Sequence, residues 1–261
     1  NFIMMKIENR MINVSNAIKM VFLLLIDIGP YISCSKEKIK ENNKFPIILS
    51  VKPIALGTTI DTSIFYKNGS NELFKISKFK FYISQIELVG NGGQYTKEEN
   101  SYHLIDLLDK ASQTFTINME AGSYDSIRFI IGVDSSHNVS GAQSGALDPV
   151  YGMFWTWNTG YIFIKLEGHS PSSSAPNQNI TYHIGGFRTG QNAIRKVSLP
   201  GIIHVESTAE IIVDADIKYW FDGKESLRIA NFPTIMTPGP VALQFADNYA
   251  KMLSLNKIIS R

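Results

Sequence analysis

The sequence has a single cysteine, Cys34, among 261 residues. A chain with one thiol cannot form an internal disulfide bond or supply the thiolate cluster of a structural zinc site. An excess of charge of one sign is also missing, since 25 basic and 23 acidic residues leave a formal net charge of +2. Binding along a nucleic-acid backbone requires concentrated positive charge. We therefore expect no nucleic-acid partner.

Signature motifs of the common enzyme classes are absent as well. The sequence contains no Gly-rich phosphate loop, no Gly-x-Ser-x-Gly and no His-Glu-x-x-His. These motifs place a phosphate, a nucleophile or a zinc-binding histidine pair. We predict that the protein is not an enzyme. The enzymatic alternative is a carboxylate pair drawn from Asp134, Asp148 and Glu167, which flank a tryptophan-rich segment.

The region around Cys34 has the order of an exported lipoprotein signal. A basic residue precedes a short apolar run, small residues follow, and a charged stretch comes after the cysteine. The apolar run is too short to cross a bilayer as a stable helix. This order predicts a signal peptide over 1–34 with lipidation at Cys34, a linker over 35–45 and a β domain over 46–261. The alternative is a buried free thiol in an ordinary N-terminal helix.

Lipidation of Cys34 would place the protein in the cell envelope, in the periplasm or at the outer-membrane surface. The lipid anchor would then be its contact with the membrane. A lipidated cysteine is no longer a thiol, so a bound metal ion would need imidazole, carboxylate, thioether or amide ligands.

From residue 45 onward the pattern is typical of β-strands. β-Branched and aromatic residues alternate with polar ones between turn-forming residues. Segments of this kind lie at 58–68, 78–90, 102–108, 114–119, 124–134, 180–187, 194–199, 202–207 and 209–223. Residues 134–153 form a long aperiodic segment, and residues 247–255 have the spacing of a short helix. We predict an all-β fold, an antiparallel sandwich or barrel-like domain with one long functional loop and a short C-terminal helix.

Three residues are candidate metal ligands. His183 stands in an alternating strand pattern, where a neutral imidazole would be rigidly mounted. His103 has the same kind of position, and Met153 offers a soft thioether that suits Cu(I). His137 in the long segment is a further candidate, ranked after both strand histidines. For His183 and His103 the alternative is a core or surface histidine whose ring is satisfied by a backbone carbonyl.

Trp155 and Trp157 are one residue apart, so a strand places both indoles on the same face. Two such rings form part of a hydrophobic core or line a pocket. The metal hypothesis makes them the wall of the ligand pocket. The alternative is an aromatic surface that binds a partner beside the long loop.

Six blocks in order give the sequence a resemblance to a known family. They are IRFIIGVD, GALDP, YGMFWTWNTGYIFIKLEG, YHIGGF, MTPGP and ADNYAKML. The chain resembles the MbnP-like family of exported copper-binding proteins, particularly its lipoprotein members of the Bacteroidota type. The resemblance extends from about residue 46 to the C-terminus. It implies a mostly β, extracytoplasmic domain that binds copper.

The resemblance also implies particular site residues. The histidine before Ile-Gly in the later half matches His183, whereas Ser84 stands where copper-binding relatives commonly carry histidine. In some members a tryptophan is oxidised to kynurenine by a dihaem partner enzyme, and no tryptophan stands beside His103.

We predict a copper-binding envelope lipoprotein, with a protein partner in the envelope as a further possibility. The alternative is a surface binding or scaffold module that has lost the metal site and binds a ligand or partner through residues 134–153.

Overall fold

The computed structural model describes residues 43–156 and 160–260, with the side chain of Ser260 excepted. The predicted signal peptide, Cys34 and most of the predicted linker lie outside the described residues. The strands are β1 Lys44–Ala55, β2 Thr58–Thr59, β3 Tyr66–Lys67, β4 Leu73–Val89, β5 Tyr95–Lys97, β6 Tyr102–Asp106, β7 Thr114–Glu120, β8 Gly122–Ile131, β9 Phe154–Trp155, β10 Gly160–His169, β11 Asn179–Gly185, β12 Arg195–Val205, β13 Ala209–Asp216, β14 Thr234–Ile235 and β15 Leu253–Ser260. The α-helices are α1 Ser135–Val139, α2 Lys218–Phe221 and α3 Pro240–Tyr249. Short 3-10 turns occupy Lys110–Gln113, Gly145–Leu147, Pro149–Tyr151 and Pro176–Gln178.

The strands form two sheets. The smaller sheet has the order β15-β13-β1-β2, with β7 also paired to β1. The larger sheet has the order β12-β8-β4-β10-β11-β14; in addition, β3, β5 and β6 pair with β4, and β9 pairs with β10. The all-β sandwich prediction is confirmed, and the sheets do not close into a barrel. Most pairs are antiparallel, but β1 with β13 and β11 with β14 are parallel.

The long strand β4 organises the larger sheet and defines its two faces. Phe81 and Ile83 lie on the inner face, towards the smaller sheet, and both are fully buried. Lys80, Tyr82 and Ser84 alternate with them and lie on the outer face. Side chains on neighbouring strands can therefore be assigned to a face from their pairing with β4.

The segment 134–153 covers part of the outer face. It contains α1 and two 3-10 turns, so it is more ordered than the sequence pattern suggested. The predicted C-terminal helix exists, but it begins at Pro240, where proline occupies the first turn without losing a hydrogen bond, and it ends at Tyr249. Strand β15 follows it. Among the described residues, no helix is both long and apolar enough to cross a membrane.

An aromatic cluster closes the core beside α3. The Tyr182 ring centroid lies 5.7 Å from that of Trp220 and 4.9 Å from that of Phe245. All three side chains are fully buried. Such packing of large rings contributes a large part of the hydrophobic stabilisation of a domain.

Candidate functional site

His183 lies on the outer face of the larger sheet, in the middle of β11. It pairs with Lys165 of β10, which in turn pairs with Lys80 of β4. Its Nε2 lies 2.8 Å from Glu167 Oε1, and the other Glu167 oxygen lies 2.9 Å from the Lys78 Nζ. The imidazole is thus held in a row of alternating charges.

Burial and two lysines disfavour the protonated form of His183. Burial lowers the pKa of His183, and this effect together with Lys165 and Lys78 outweighs the hydrogen bond to Glu167. Burial and the lysines Lys78 and Lys80 likewise lower the pKa of Lys165 against the opposing influence of Glu167. The charges of Lys165 and Lys78 would also oppose a metal cation at His183.

His103 lies on the other face of the same sheet. It pairs with Ile83 of β4, and its ring stacks on Phe115 of β7 with centroids 3.7 Å apart. Its Nε2 lies 2.9 and 3.0 Å from the two Glu98 carboxylate oxygens. Because His183 is in register with Lys80 and His103 with Ile83, the two imidazoles project from opposite faces and cannot bind one ion.

Met153 and Trp155 belong to the hydrophobic core. Met153 is 0% exposed and Trp155 is 4% exposed. The Trp155 indole packs where Gly185 has no side chain, since a Cβ there would lie 2.9 Å from the ring. Trp157, the second predicted wall residue, lies outside the described residues. The structure therefore places Trp155 at a corner of the core, and it does not bring Met153 together with both predicted histidines.

An imidazole nitrogen, a carboxylate and a phenol oxygen converge where β6 meets the start of α1. His137 Nδ1 lies 2.8 Å from the Tyr102 hydroxyl oxygen and 3.1 Å from each carboxylate oxygen of Asp134. The Tyr102 hydroxyl also donates to Asp134. Together these residues are called the Tyr102 cluster below. Within residues 43–156 and 160–260, no group of three His, Cys, Asp or Glu could hold a metal ion, and the third donor here is a phenol.

The carboxylate of the Tyr102 cluster is stabilised as an anion. Burial opposes its ionisation, but hydrogen bonds from Ser136, Tyr102 and His137 hold the pKa of Asp134 well below its usual range. Burial, and then the adjacent carboxylate, raise the pKa of the Tyr102 hydroxyl. In the described residues Asp134 has one ion pair, with His137, and none with lysine or arginine. This environment differs from the lysine-rich one around His183.

Local and long-range structure place the Tyr102 cluster. Asp134 is the N-cap of α1 and accepts a hydrogen bond from the backbone N–H of His137 at 3.1 Å. The buried Asn138 holds α1 on the sheet: its amide donates to Val133 O at 2.7 Å, and its oxygen accepts from Tyr161 N–H at 2.8 Å. The helix is therefore fixed although it has only five residues.

The rest of the covering segment is also tied to the sheet. The Tyr82 hydroxyl donates to Ala146 O at 3.1 Å, and the Tyr161 hydroxyl donates to Leu147 O at 2.9 Å. Leu147 itself is buried. These phenols satisfy loop carbonyls that face the sheet, so the Tyr102 cluster lies on an ordered surface.

Sequence reasoning ranked His137 third and did not connect it with Tyr102. The Asp-Ser-Ser-His spacing was a usable signal, because an N-cap aspartate and the residue three positions later are neighbours. Tyr102 is far from both in the sequence. Its proximity follows from the pairing of β6 and β8 with the same strand, β4.

A groove of about 230 Å³ begins beside the Tyr102 cluster. It runs between β6, the 3-10 turn after it and the covering segment, and its lining includes Tyr102, Asp106, Phe115, Ala146 and Tyr151. Tyr151 is substantially exposed, as is its neighbour Val150. The groove supplies concave, partly apolar surface next to the donor atoms.

Comparison with known proteins identifies a family. The MbnP family model matches residues 44–237. Among solved structures, MbnP from Methylosinus trichosporium is similar, with a TM-score of 0.55 and 16% sequence identity over 77% of this chain and 87% of that chain. At this identity the likeness concerns the fold alone. No curated protein matches the chain significantly.

Proposed function

Because the chain belongs to the MbnP family, we propose that it binds copper and acts in the cell envelope. The observation that carries the proposal is the family match, which spans most of the described β domain. The family is copper-related, and the Tyr102 cluster supplies nitrogen and oxygen donors on the surface of this member. The proposal assigns the protein a binding role and no catalytic activity.

Metal content after purification tests this function. The protein is purified without chelators, equilibrated separately with Cu(I), Cu(II) and Zn(II), passed through a desalting column and analysed by elemental mass spectrometry. About one equivalent of retained copper is the expected result. Copper at the level of a non-binding control protein would contradict the proposal.

We also propose that Cys34 is lipidated and anchors the protein in the envelope. The order of basic, apolar and small residues before Cys34 supports this. Mass spectrometry of the protein from membranes should show a diacylglycerol adduct on Cys34. The Cys34→Ser variant should lose the adduct and leave the membrane fraction, and wild-type protein without an adduct would contradict the anchor.

The second candidate function is a surface binding or scaffold module. The groove beside the Tyr102 cluster, with exposed Tyr151 at its rim, supports it. In this case a glycan, peptide or envelope protein would protect residues 134–153 from hydrogen exchange in the absence of metal. Protection by copper alone, with none by such ligands, would favour the copper function.

A further inference from the structure

We infer that Tyr102, Asp134 and His137 form a divalent copper site. The inference rests on the proposed copper function and names the residues and the oxidation state. The ion would bind the phenolate oxygen, the carboxylate and the imidazole Nδ1. It would do so at the start of α1, away from His183 and from the buried sulfur of Met153.

The geometry carries the inference. Ligand atoms that lie about 2 Å from one ion are themselves separated by about 3 Å. His137 Nδ1 has this spacing to both other residues, at 2.8 Å from Tyr102 Oη and 3.1 Å from Asp134 Oδ2. The third pair, the Tyr102 hydroxyl and Asp134 Oδ2, is in direct hydrogen-bond contact, so the three donors are mutual neighbours. Rotation of the Tyr102 and Asp134 side chains away from each other would admit the ion.

Donor chemistry sets the oxidation state. Imidazole nitrogen with carboxylate and phenolate oxygen suits Cu(II), whereas Cu(I) prefers thiolate and thioether sulfur. Met153 is 0% exposed in the core, so the soft ligand of the sequence is not presented to solvent. The site therefore selects the oxidised ion.

Charge and access also agree with a cation site. In the described chain, Asp134 has an ion pair with His137 and none with lysine or arginine. The His137 side chain is 37% exposed, and that of Asp134 is 17% exposed. An ion can enter from solvent, and a fourth position remains for water.

Binding has a defined proton balance. The Tyr102 hydroxyl proton, which is donated to Asp134 in the free protein, is released to solvent as the phenolate–copper bond forms. His137 binds through the Nδ1 lone pair, and its ring proton then stands on Nε2. The copper ion remains Cu(II) throughout, and apparent affinity increases with pH.

The test compares copper titrations of four variants with wild type. Chelator-competition titrations give the Cu(II) and Cu(I) affinities of Asp134→Asn, His137→Gln, Tyr102→Phe and the control His183→Gln, and circular dichroism checks that each is folded. Asp134→Asn and His137→Gln should weaken Cu(II) binding at least about tenfold, by comparison with losses of metal-site groups elsewhere. His183→Gln should leave it unchanged. Tyr102→Phe should remove a phenolate-to-Cu(II) charge-transfer absorption band.

The outcomes separate the site from the function. Copper binding that survives changes at Asp134 and His137 would overturn the site and leave the copper function standing. Tight Cu(I) binding without Cu(II) binding would overturn the assigned oxidation state. Absence of all copper binding in folded wild-type protein would overturn both the site and the function.

Discussion

The His137 ring and the Asp134 carboxylate meet through a helix cap. Asp134 accepts the backbone N–H of His137, and the same turn brings Nδ1 within 3.1 Å of both carboxylate oxygens. An i, i+3 pair at a helix start thus supplies two donors of the proposed copper site, and the strand residue Tyr102 supplies the third. A capping interaction that stabilises the helix also orients the donors.

Asn138 should act as a positioning residue for this pair. Its amide ties α1 to Val133 and Tyr161 while the side chain is 1% exposed. Replacing Asn138 with Ala would leave buried partners without hydrogen bonds, so we expect the free energy of unfolding to fall by about 2 kcal/mol. The variant should also bind copper less tightly. Bound Cu(II) should restore part of the unfolding free energy that the variant has lost. Urea unfolding with and without Cu(II) measures both effects.

If Cu(II) does not raise the unfolding free energy of Asn138→Ala at all, the positioning role of Asn138 is contradicted. Gln143→Ala is a suitable control, because its side chain donates to Gly141 O at a longer 3.3 Å on the surface segment.

His183 should make the protein sensitive to acid. Its pKa is lowered by burial and by the lysines, so at pH values below the ordinary value of about 6.5 the unfolded state binds more protons than the folded state. Stability is therefore present above this pH and decreases as the pH falls. Glu167 remains ionised over the same range, because hydrogen bonds and charges from Lys78 and His183 outweigh burial and lower the pKa of Glu167.

The His183→Gln variant tests this linkage. Between pH 7 and pH 5 we expect wild type to lose on the order of 1 kcal/mol more unfolding free energy than the variant. Urea titrations at several pH values measure the difference. If the unfolding free energy of the two proteins depends equally on pH, His183 does not titrate in this way.

Tyr182 offers a test of the core. Its hydroxyl is buried and has no hydrogen-bond partner among the described residues, which is an unfavourable state for a polar group. Tyr182→Phe should raise the unfolding free energy by about 1 kcal/mol, because the ring contacts with Trp220 and Phe245 remain. The control Tyr161→Phe loses the hydrogen bond to Leu147 O. Its melting temperature in thermal unfolding should therefore be lower than that of wild type. A lower melting temperature for Tyr182→Phe would contradict this interpretation.

The close packing of the Trp155 indole should require glycine at position 185. A Cβ at this position would lie 2.4 Å from Tyr161 O and 2.9 Å from the indole. We expect Gly185→Ala to lower the unfolding free energy by about 2 kcal/mol and to alter Trp155 fluorescence. In the control Gly57→Ala, the added Cβ faces open space, although the backbone φ of 79° makes the substitution strained. Only the first variant should change the fluorescence, and an unchanged spectrum would contradict the contact.

Much of the fold could be predicted because alternation is a local property. The pattern of β4, for example, is readable from residues 78–90 alone. Parallel pairing of β1 with β13 was not predictable in this way, because the partners are more than 150 residues apart in sequence. The early start of α3 at Pro240 was hidden by glycine and proline residues that usually mark turns.

The candidate site depended more strongly on tertiary structure. His183 and His103 have equivalent patterns in sequence, but their registers with β4 place them on opposite faces. Lys165 and Lys78 approach His183 only through strand pairing, so the positive environment could not be seen in the sequence. Tyr102 joins the Asp134–His137 pair for the same reason.

Locating the ion in crystals of the Cu(II)-loaded protein tests the central claim most directly. Diffraction data collected above and below the copper absorption edge give the ion position independently of the protein. We predict one anomalous peak about 2 Å from His137 Nδ1, the Asp134 carboxylate and the Tyr102 oxygen. A peak at His183 instead, or no peak in fully loaded crystals, would contradict the account.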